Sequence, residues 1–377
     1  MTHATQPFPF TERLARVRAR LTDATDVNGS GPTALVVTEL NNIRYLTGFA
    51  GSAGMLVVTR AATILLIDGR YEEIVREAQA IGVITPLEVV RVKKYDPTLI
   101  ETLADSGFTR IAFEGDHTTV AQYGRWADGL KSVAWEPVYD WVEAGRIIKD
   151  EHELAILRRA GKLLSGVAEA LGQWVTVGKS ERQVAADINY ALGRAGFEKP
   201  AFDTIVATGP NSAYPHARPT DRTIQNGDLV LLDFGGVLEG YCVDLTRMAG
   251  AGRVRAESQA LYMAVRQAQD AAIAAVCPGS LNTQVDQAAR QVLEQHQLGS
   301  AFVHGTGHGL GLEVHEAPRV GPGDPAEAVR LESGMVVTIE PGAYVVGLGG
   351  VRLEDDVLVT AVGREVLTTA PLDLLVV

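Results

Sequence analysis

The chain has 377 residues, of which 46% are hydrophobic, and a formal net charge of −12. This length favours two domains, and the acidic balance speaks against a nucleic-acid or anionic-membrane partner, because phosphates would be repelled. No apolar run approaches the ~20 residues of a membrane span, and residues 1–21 lack the apolar segment of a secretory signal. Since only two cysteines occur, Cys242 and Cys277, we expect a cytoplasmic protein.

The N-terminal part alternates between strand and helix patterns. Short, branched apolar runs at 33–40, 54–59 and 62–68 predict buried strands, because such residues suit a covered, pleated surface. Apolar residues at helical spacing over 70–82 predict a helix that ends at a glycine. We therefore expect an α/β domain over residues 1–145.

A long helix is expected to open a second domain. Asp150 and Glu153 have the pattern of a capping box, in which two side chains satisfy backbone N–H groups at a helix start. Apolar residues then recur at helical spacing from Leu154 to Leu171. We place the boundary just before this helix, which assigns residues 146–377 to the second domain.

The second domain contains an internal repeat. Residues 175–192 align with 276–293 at an offset of 101, and each copy places a turn before an amphipathic helix. Residues 226–235 align with 333–342 at an offset of 107, and each copy carries an acidic residue. Chance similarity between two ordinary helix–strand segments is one explanation. A duplication is the other, and it would bring one acidic strand from each half to a shared centre.

Four carboxylates lie on segments that otherwise have the composition of core strands. Asp233 and Asp244 flank one predicted hairpin, and Glu340 and Glu354 flank another. Each alone is typical of a surface acid, but four buried together require a compensating positive charge. With His308 of HGTGHGLGLEVHE, they can hold two divalent cations, and this ligand set suits Mn, Co, Fe or Zn. The glycines in that segment are expected to let the backbone approach the metals closely.

Together these motifs resemble a known enzyme family. HGTGHGLGLEVHE, with LLDFGGVLEGYCVDLTR, TIEPG and GGVRLEDD, is similar to the dinuclear pita-bread metallopeptidases, which include aminopeptidase P, prolidase and methionine aminopeptidase. YLTGFAGSAG and LLIDGRY resemble, more weakly, a creatinase-type N-terminal domain. The resemblance implies an α/β fold in which a creatinase-like domain precedes a pseudo-twofold catalytic domain.

The resemblance also implies a metal centre. Its five ligands would be Asp233, Asp244, His308, Glu340 and Glu354. Asp244 and Glu354 would bridge two ions, with Mn²⁺ expected first and Co²⁺ or Zn²⁺ as alternatives. Glu340 would also take a proton and return it to the leaving nitrogen. Loss of ligands would mark a metal-free creatinase-like hydrolase or a non-catalytic binding protein, and all five ligands are present.

Four further residues are expected at the site. By resemblance, His315 contacts the scissile carbonyl and His216 contacts the substrate or the developing oxyanion. His304 and Arg352 are expected substrate-binding residues, and His304 could instead orient a ligand. Seven residues separate His308 from His315, so on one straight strand their rings would face opposite ways. A bulge or a strand end is therefore expected between them.

The resemblance implies proline-containing peptides as substrates. A strict dipeptidase must recognise the free carboxylate of proline, most naturally with an arginine. Arg352, Arg218 and Arg319 are candidates, but none lies in a motif that decides the question. We therefore favour aminopeptidase P, which cuts Xaa-Pro from longer peptides, over prolidase, which cuts Xaa-Pro dipeptides. The N-terminal domain supports dimer contacts in similar enzymes, so a homodimer is expected.

Overall fold

The structure, a computed structural model, describes residues 9–24 and 31–377. The chain divides into two compact units, Met1–Arg146 and Ile147–Val377. Residues 1–8, which belong to the segment inspected for a secretory signal, lie outside the described residues. Within the described ranges, every helix is too short or too polar to cross a bilayer.

The first unit is built on one mixed sheet flanked by helices. Its strands are β1 (Ala34–Val37), β2 (Met55–Thr59), β3 (Thr63–Asp68), β4 (Glu88–Val92), β5 (Arg110–Glu114) and β6 (Ala134–Val138). Its helices, in the residues described, are α1 (Phe10–Asp23), α2 (Leu40–Thr47), α3 (Glu72–Ala80), α4 (Tyr95–Ala104), α5 (Val120–Gly129) and α6 (Glu143–Arg146). The strand order is β4-β3-β2-β1-β5-β6, with β2 antiparallel to both of its neighbours.

One predicted element of this unit has a different boundary. The run 33–40 predicts a strand up to residue 40, but the strand ends at Val37 and α2 begins at Leu40. Glu39 explains the change, because its side chain accepts a hydrogen bond from the backbone N–H of Asn41. This bond satisfies one of the free donors at the helix start and favours a helix over a longer strand.

The second unit contains several antiparallel ladders and four long helices. Its strands are β7 (Lys199–Pro200), β8 (Ile205–Thr208), β9 (Leu229–Leu238), β10 (Tyr241–Gly250), β11 (Gly307–Gly309), β12 (Glu316–Val320), β13 (Val336–Ile339), β14 (Gly342–Val345), β15 (Gly349–Arg352), β16 (Asp355–Thr360), β17 (Gly363–Val366) and β18 (Leu375–Val376). Its α-helices are α7 (Glu151–Glu169), α8 (Glu181–Ala195), α9 (Ala256–Ala275) and α10 (Asn282–Gln295). One sheet has the order β18-β10-β9-β7, with β8 also on β9, another has β12-β11-β13-β16-β17, and β14 pairs with β15.

The start of α7 confirms the predicted capping box. The Asp150 side chain accepts from the backbone N–H groups of His152 and Glu153, and Glu153 reaches back to the N–H of Asp150.

The internal repeat is visible in backbone conformation. Helices α8 and α10 begin at Glu181 and Asn282, which preserves the offset of 101 found in the sequence. Just before them, Gly178 and Gly279 have φ values of 91° and 88°, a left-handed conformation that glycine adopts without strain. Each of these glycines also donates its N–H to the segment that leads into the following repeat strand. These matched details favour duplication over chance similarity.

Candidate metal centre and active site

One cavity of about 630 Å³ in the second unit gathers the residues that the sequence singles out for chemistry. Its wall includes Asp233, Asp244, Glu340, Glu354, His216, His304, His308, His315 and Arg352. Arg218 and Arg319 also line it. These residues come from distant parts of the chain, and the strand pairings explain how they meet.

The first pair of acids lies on the hairpin β9–β10. Its two-residue turn, Glu239–Gly240, has positive φ at both positions, 48° and 80°, which matches the right-handed twist of paired strands. Asp233 pairs with Thr246, which lies two residues from Asp244 on β10. Since side chains alternate along a strand, Asp233 and Asp244 project from the same face.

The second pair of acids flanks the ladder between β13 and β16. Ile339 pairs with Asp355, so Glu340 and Glu354 lie together just beyond the paired residues. Glu340 and Glu354 were predicted to flank a single hairpin, but the connection between them contains a small hairpin of its own, β14–β15. Arg352 ends β15, whereas Glu354 precedes β16, so the two residues do not lie on one strand. The chain leaves one ladder and joins another between them.

The two acidic hairpins are joined by hydrogen bonds. The Asp244 N–H donates to Asp356 Oδ2 at 3.0 Å, and the Glu354 N–H donates to the Thr246 carbonyl at 3.3 Å. Thr246 Oγ1 also donates to Glu354 Oε2 at 2.6 Å. These contacts bring the carboxylates of both halves to one centre.

The spacing of His308 and His315 is explained by the end of a strand. Strand β11 stops at Gly309, its register with β12 shifts, and the chain turns back before His315. The two rings therefore meet edge to face, with centroids 4.3 Å apart. The predicted interruption between them is confirmed.

The glycines beside His308 lie where neighbouring backbone leaves no room for a side chain. A Cβ atom on Gly307 would lie 1.9 Å from the Thr338 carbonyl oxygen, and one on Gly309 would lie 2.3 Å from the Ala317 carbonyl oxygen. Both obstacles are backbone atoms of neighbouring segments in the same sheet. The absence of side chains thus lets the backbone segments pack closely around His308, and close approach of this backbone to the metals stays a prediction.

The geometry and the donor set both fit a cation. Asp244, His308 and Glu354 each offer one ligand atom, and these atoms lie within 4.8 Å of one another. His308 Nδ1 lies 3.0 Å from the Gly309 carbonyl, which leaves Nε2 free to ligate, 3.5 Å from Glu340 Oε1. In addition, Asp233 Oδ1 is buried without a hydrogen-bond partner among the described residues.

The electrostatics of the cluster lead to the same conclusion. Burial, together with neighbouring carboxylates, raises the pKa of Asp244 and of Glu354 well above the usual range. Burial also raises the pKa of Glu340 to about 8, and it lowers the pKa of His308 to about 4. Like charges in a desolvated space disfavour ionisation, so a bound cation is the natural means of keeping these groups deprotonated.

Arg352 is engaged mainly by protein groups. It forms an ion pair with Asp233 and donates to Tyr344 Oη at 2.8 Å and to the Pro215 carbonyl at 3.2 Å. Burial nevertheless raises the pKa of Asp233, despite this guanidinium. Tyr344 Oη in turn lies 2.9 Å from His304 Nε2, so His304 is linked to Asp233 through two buried side chains.

Comparisons with known proteins agree with this geometry. Residues 155–361 match the family described as metallopeptidase family M24, and residues 13–148 match the creatinase/prolidase N-terminal domain. The chain belongs to metallopeptidase family M24. The metal-dependent peptidase and the pita-bread fold expected from the motifs are therefore confirmed.

Individual relatives of this M24 peptidase extend over nearly its whole length. It is 35% identical to the Xaa-Pro dipeptidase of Pyrococcus furiosus over 89% of this chain and 92% of that protein. A solved Xaa-Pro dipeptidase from Bacillus anthracis matches with a TM-score of 0.90 at 31% identity, covering 98% of this chain and all of that one. An X-Pro aminopeptidase from Thermotoga maritima matches with a TM-score of 0.84 at 30% identity, covering 96% and 99%.

Two residues at the centre of this M24 peptidase escaped the sequence analysis. Tyr344 bridges His304 and Arg352, and Thr246 bridges Arg352 and Glu354. Thr246 could have been found, because it lies two residues beyond Asp244 and so shares its face of the strand. Tyr344 offered no such signal, since an apolar-looking strand residue gives no hint of its distant partners.

Proposed function

We propose that this protein is a Xaa-Pro dipeptidase, a metallopeptidase that hydrolyses the bond before proline in dipeptides. One observation carries the proposal. Arg218 and Arg319 line the cavity with exposed side chains, and neither guanidinium forms a hydrogen bond or ion pair with another described residue. Unpaired guanidinium groups in the same cavity as the proposed metal ligands suit a substrate whose free carboxylate lies close to the bond that is cut.

This proposal replaces the preference for aminopeptidase P drawn from the sequence. That preference depended on finding no carboxylate clamp, and the two arginines on the cavity wall supply a candidate. The relatives named as Xaa-Pro dipeptidases, from Pyrococcus furiosus and Bacillus anthracis, support the same choice. Aminopeptidase P remains the second candidate because of the similarity to the Thermotoga maritima enzyme.

The residues that would hold two divalent cations are Asp233, Asp244, His308, Glu340 and Glu354. Mn²⁺ is the first choice and Co²⁺ or Zn²⁺ are alternatives, because oxygen ligands with a single imidazole suit these ions. When bound, the cations would polarise the scissile carbonyl and activate the attacking water.

The protein groups have separate tasks in this proposal. Burial lowers the pKa of His315, so near neutral pH its uncharged ring can donate one N–H to the carbonyl oxygen. His216 would also contact the carbonyl oxygen. Glu340 would take a proton from the attacking water and pass it to the leaving nitrogen. The contacts of Arg352 favour a role in holding Asp233 instead of the predicted role in binding substrate. His304 would then close the cavity wall through Tyr344.

Three substrates with Mn²⁺ test the choice between the two peptidases. The wild-type protein is expected to cleave Ala-Pro, and to cleave Ala-Pro-amide and Ala-Pro-Ala about tenfold to a hundredfold less efficiently. That range corresponds to the loss of charge-assisted hydrogen bonds to the free carboxylate.

Substitutions identify which arginine binds the free carboxylate of proline. Arg319→Ala or Arg218→Ala should lower kcat/KM for Ala-Pro. The ratio of kcat/KM for Ala-Pro to that for Ala-Pro-amide should then be smaller than in the wild-type protein. Arg253→Ala is the matched control, because this arginine is also exposed but does not line the cavity. Efficient cleavage of Ala-Pro-Ala with Ala-Pro untouched would assign the protein to aminopeptidase P instead.

A further inference from the structure

A buried carboxylate outside the metal cluster joins the two ends of a loop that reaches the cavity. The loop comprises residues 208–220, here called the His216 loop, and it carries His216 and Arg218. Glu181, at the first position of α8, is completely buried. We propose that Glu181 is a positioning residue that sets the placement of His216 and Arg218 in the cavity. The inference rests on the proposed function, which assigns both residues to the substrate.

The contacts of Glu181 close the loop at both ends. Oε1 accepts from the N–H of Thr208 at 2.7 Å and from its hydroxyl at 2.9 Å. Oε2 accepts from the N–H of Thr220 at 2.8 Å and from its hydroxyl at 2.6 Å. Asn211 Nδ2, inside the loop, lies 3.0 and 3.1 Å from the two oxygens. One carboxylate thus joins residues twelve positions apart in the sequence.

The middle of the loop is fixed to the proposed metal centre. The Pro215 carbonyl, next to His216, accepts from Arg352 Nη1 at 3.2 Å, and Arg352 forms the ion pair with Asp233. Ser212 Oγ accepts from the Gly350 N–H at 2.9 Å. Glu181 therefore holds the two ends of the His216 loop, and Gly350 and Arg352 of β15 hold its middle. His216 lies between these attachments.

A carboxylate suits this task because its hydrogen-bond partners at Thr208, Asn211 and Thr220 all act as donors. An ionised glutamate only accepts hydrogen bonds, so both of its oxygens can be satisfied by these N–H and O–H groups. Glutamine would keep the volume but would turn an NH₂ group towards donors at one end of the loop. Where that end is Thr208, which is completely buried, the N–H of Thr208 would be left without a partner, which should release that end.

Hydrogen exchange tests the placement directly. In Glu181→Gln, peptides covering 208–222 are expected to exchange faster, whereas those covering 302–310 should keep their rates. Ser180→Ala is the matched control, because it removes the N-cap bond of the same helix, in which the Ser180 hydroxyl accepts from the Gln183 N–H. If Glu181→Gln does not fold, Thr220→Val removes one of the same hydrogen bonds at smaller cost. Unchanged exchange in the loop of both variants would overturn the inference.

Kinetics separate positioning from general stability. Glu181→Gln should lower kcat/KM for Ala-Pro about tenfold or more at unchanged metal content. In a His216→Ala background, Glu181→Gln should lower kcat/KM for Ala-Pro by a markedly smaller factor, because Glu181 is proposed to act through His216 in the same loop. An equal loss in both backgrounds would refute action through His216. If the wild-type protein cleaves neither Ala-Pro nor Ala-Pro-Ala, the proposed function fails instead, and hydrogen exchange still decides whether Glu181 holds the loop.

Discussion

Replacing Gly307 with alanine introduces a methyl group where the structure has a carbonyl oxygen. The new Cβ would lie 1.9 Å from the Thr338 oxygen, far inside van der Waals contact. This oxygen belongs to the backbone of β13, so it cannot swing aside as a flexible side chain could. Overpacking typically costs 1–3 kcal/mol, and a backbone obstacle favours the upper end, about 3 kcal/mol. For a unit of this size, the melting temperature should fall by about 6–12 °C.

The assay is thermal unfolding followed by circular dichroism, on protein from which the metal has been removed by a chelator. A difference in metal content between the variants then cannot contribute to the difference in melting temperature. Gly363→Ala is the matched control, because a Cβ there meets nothing within 4 Å. Metal binding, measured separately, should weaken in Gly307→Ala, since β11 carries His308. Equal melting temperatures for the two variants would refute the steric explanation for glycine at position 307.

Three other outcomes are expected. Asp244→Ala should abolish activity and reduce metal content by elemental analysis, because this carboxylate is proposed to bridge both ions; two metals per chain with near-normal turnover would contradict the assignment. In protein from which the metal has been removed by a chelator, burial raises the pKa of Glu340 from 4.5 to about 8. The folded state therefore keeps this proton at pH values where the unfolded chain has lost it. The resulting contribution to the free energy of unfolding is complete below about pH 4.5 and is lost as the pH rises through 8. The melting temperature of this protein should therefore be lower at pH 9 than at pH 6, and added Mn²⁺ should reduce the difference; a pH-independent value after chelation would argue against buried, uncompensated acids. Finally, light scattering at micromolar concentration should report a homodimer, and a monomeric mass would contradict that prediction.

Much of the second unit could be predicted from local patterns. The capping box at Asp150, the two-residue turn at Glu239–Gly240 and the repeated helix starts at Glu181 and Asn282 depend on residues close in sequence. Backbone conformation and side-chain alternation are local properties, so short motifs determine them. The acids on core-like strands also pointed to a cation before any geometry was known, because the cost of burying charge does not depend on the fold.

Tertiary structure decided which partner each polar group has. Arg352 was predicted to face the substrate, yet it pairs with Asp233 and Tyr344, which approach it from other strands. The role of Gly307 depends on Thr338, 31 residues away, and Glu181 joins Thr208 to Thr220. A buried hydrogen bond or steric contact depends on how segments far apart in the sequence pack together. The periodic patterns of the sequence do not indicate which distant residues come into contact.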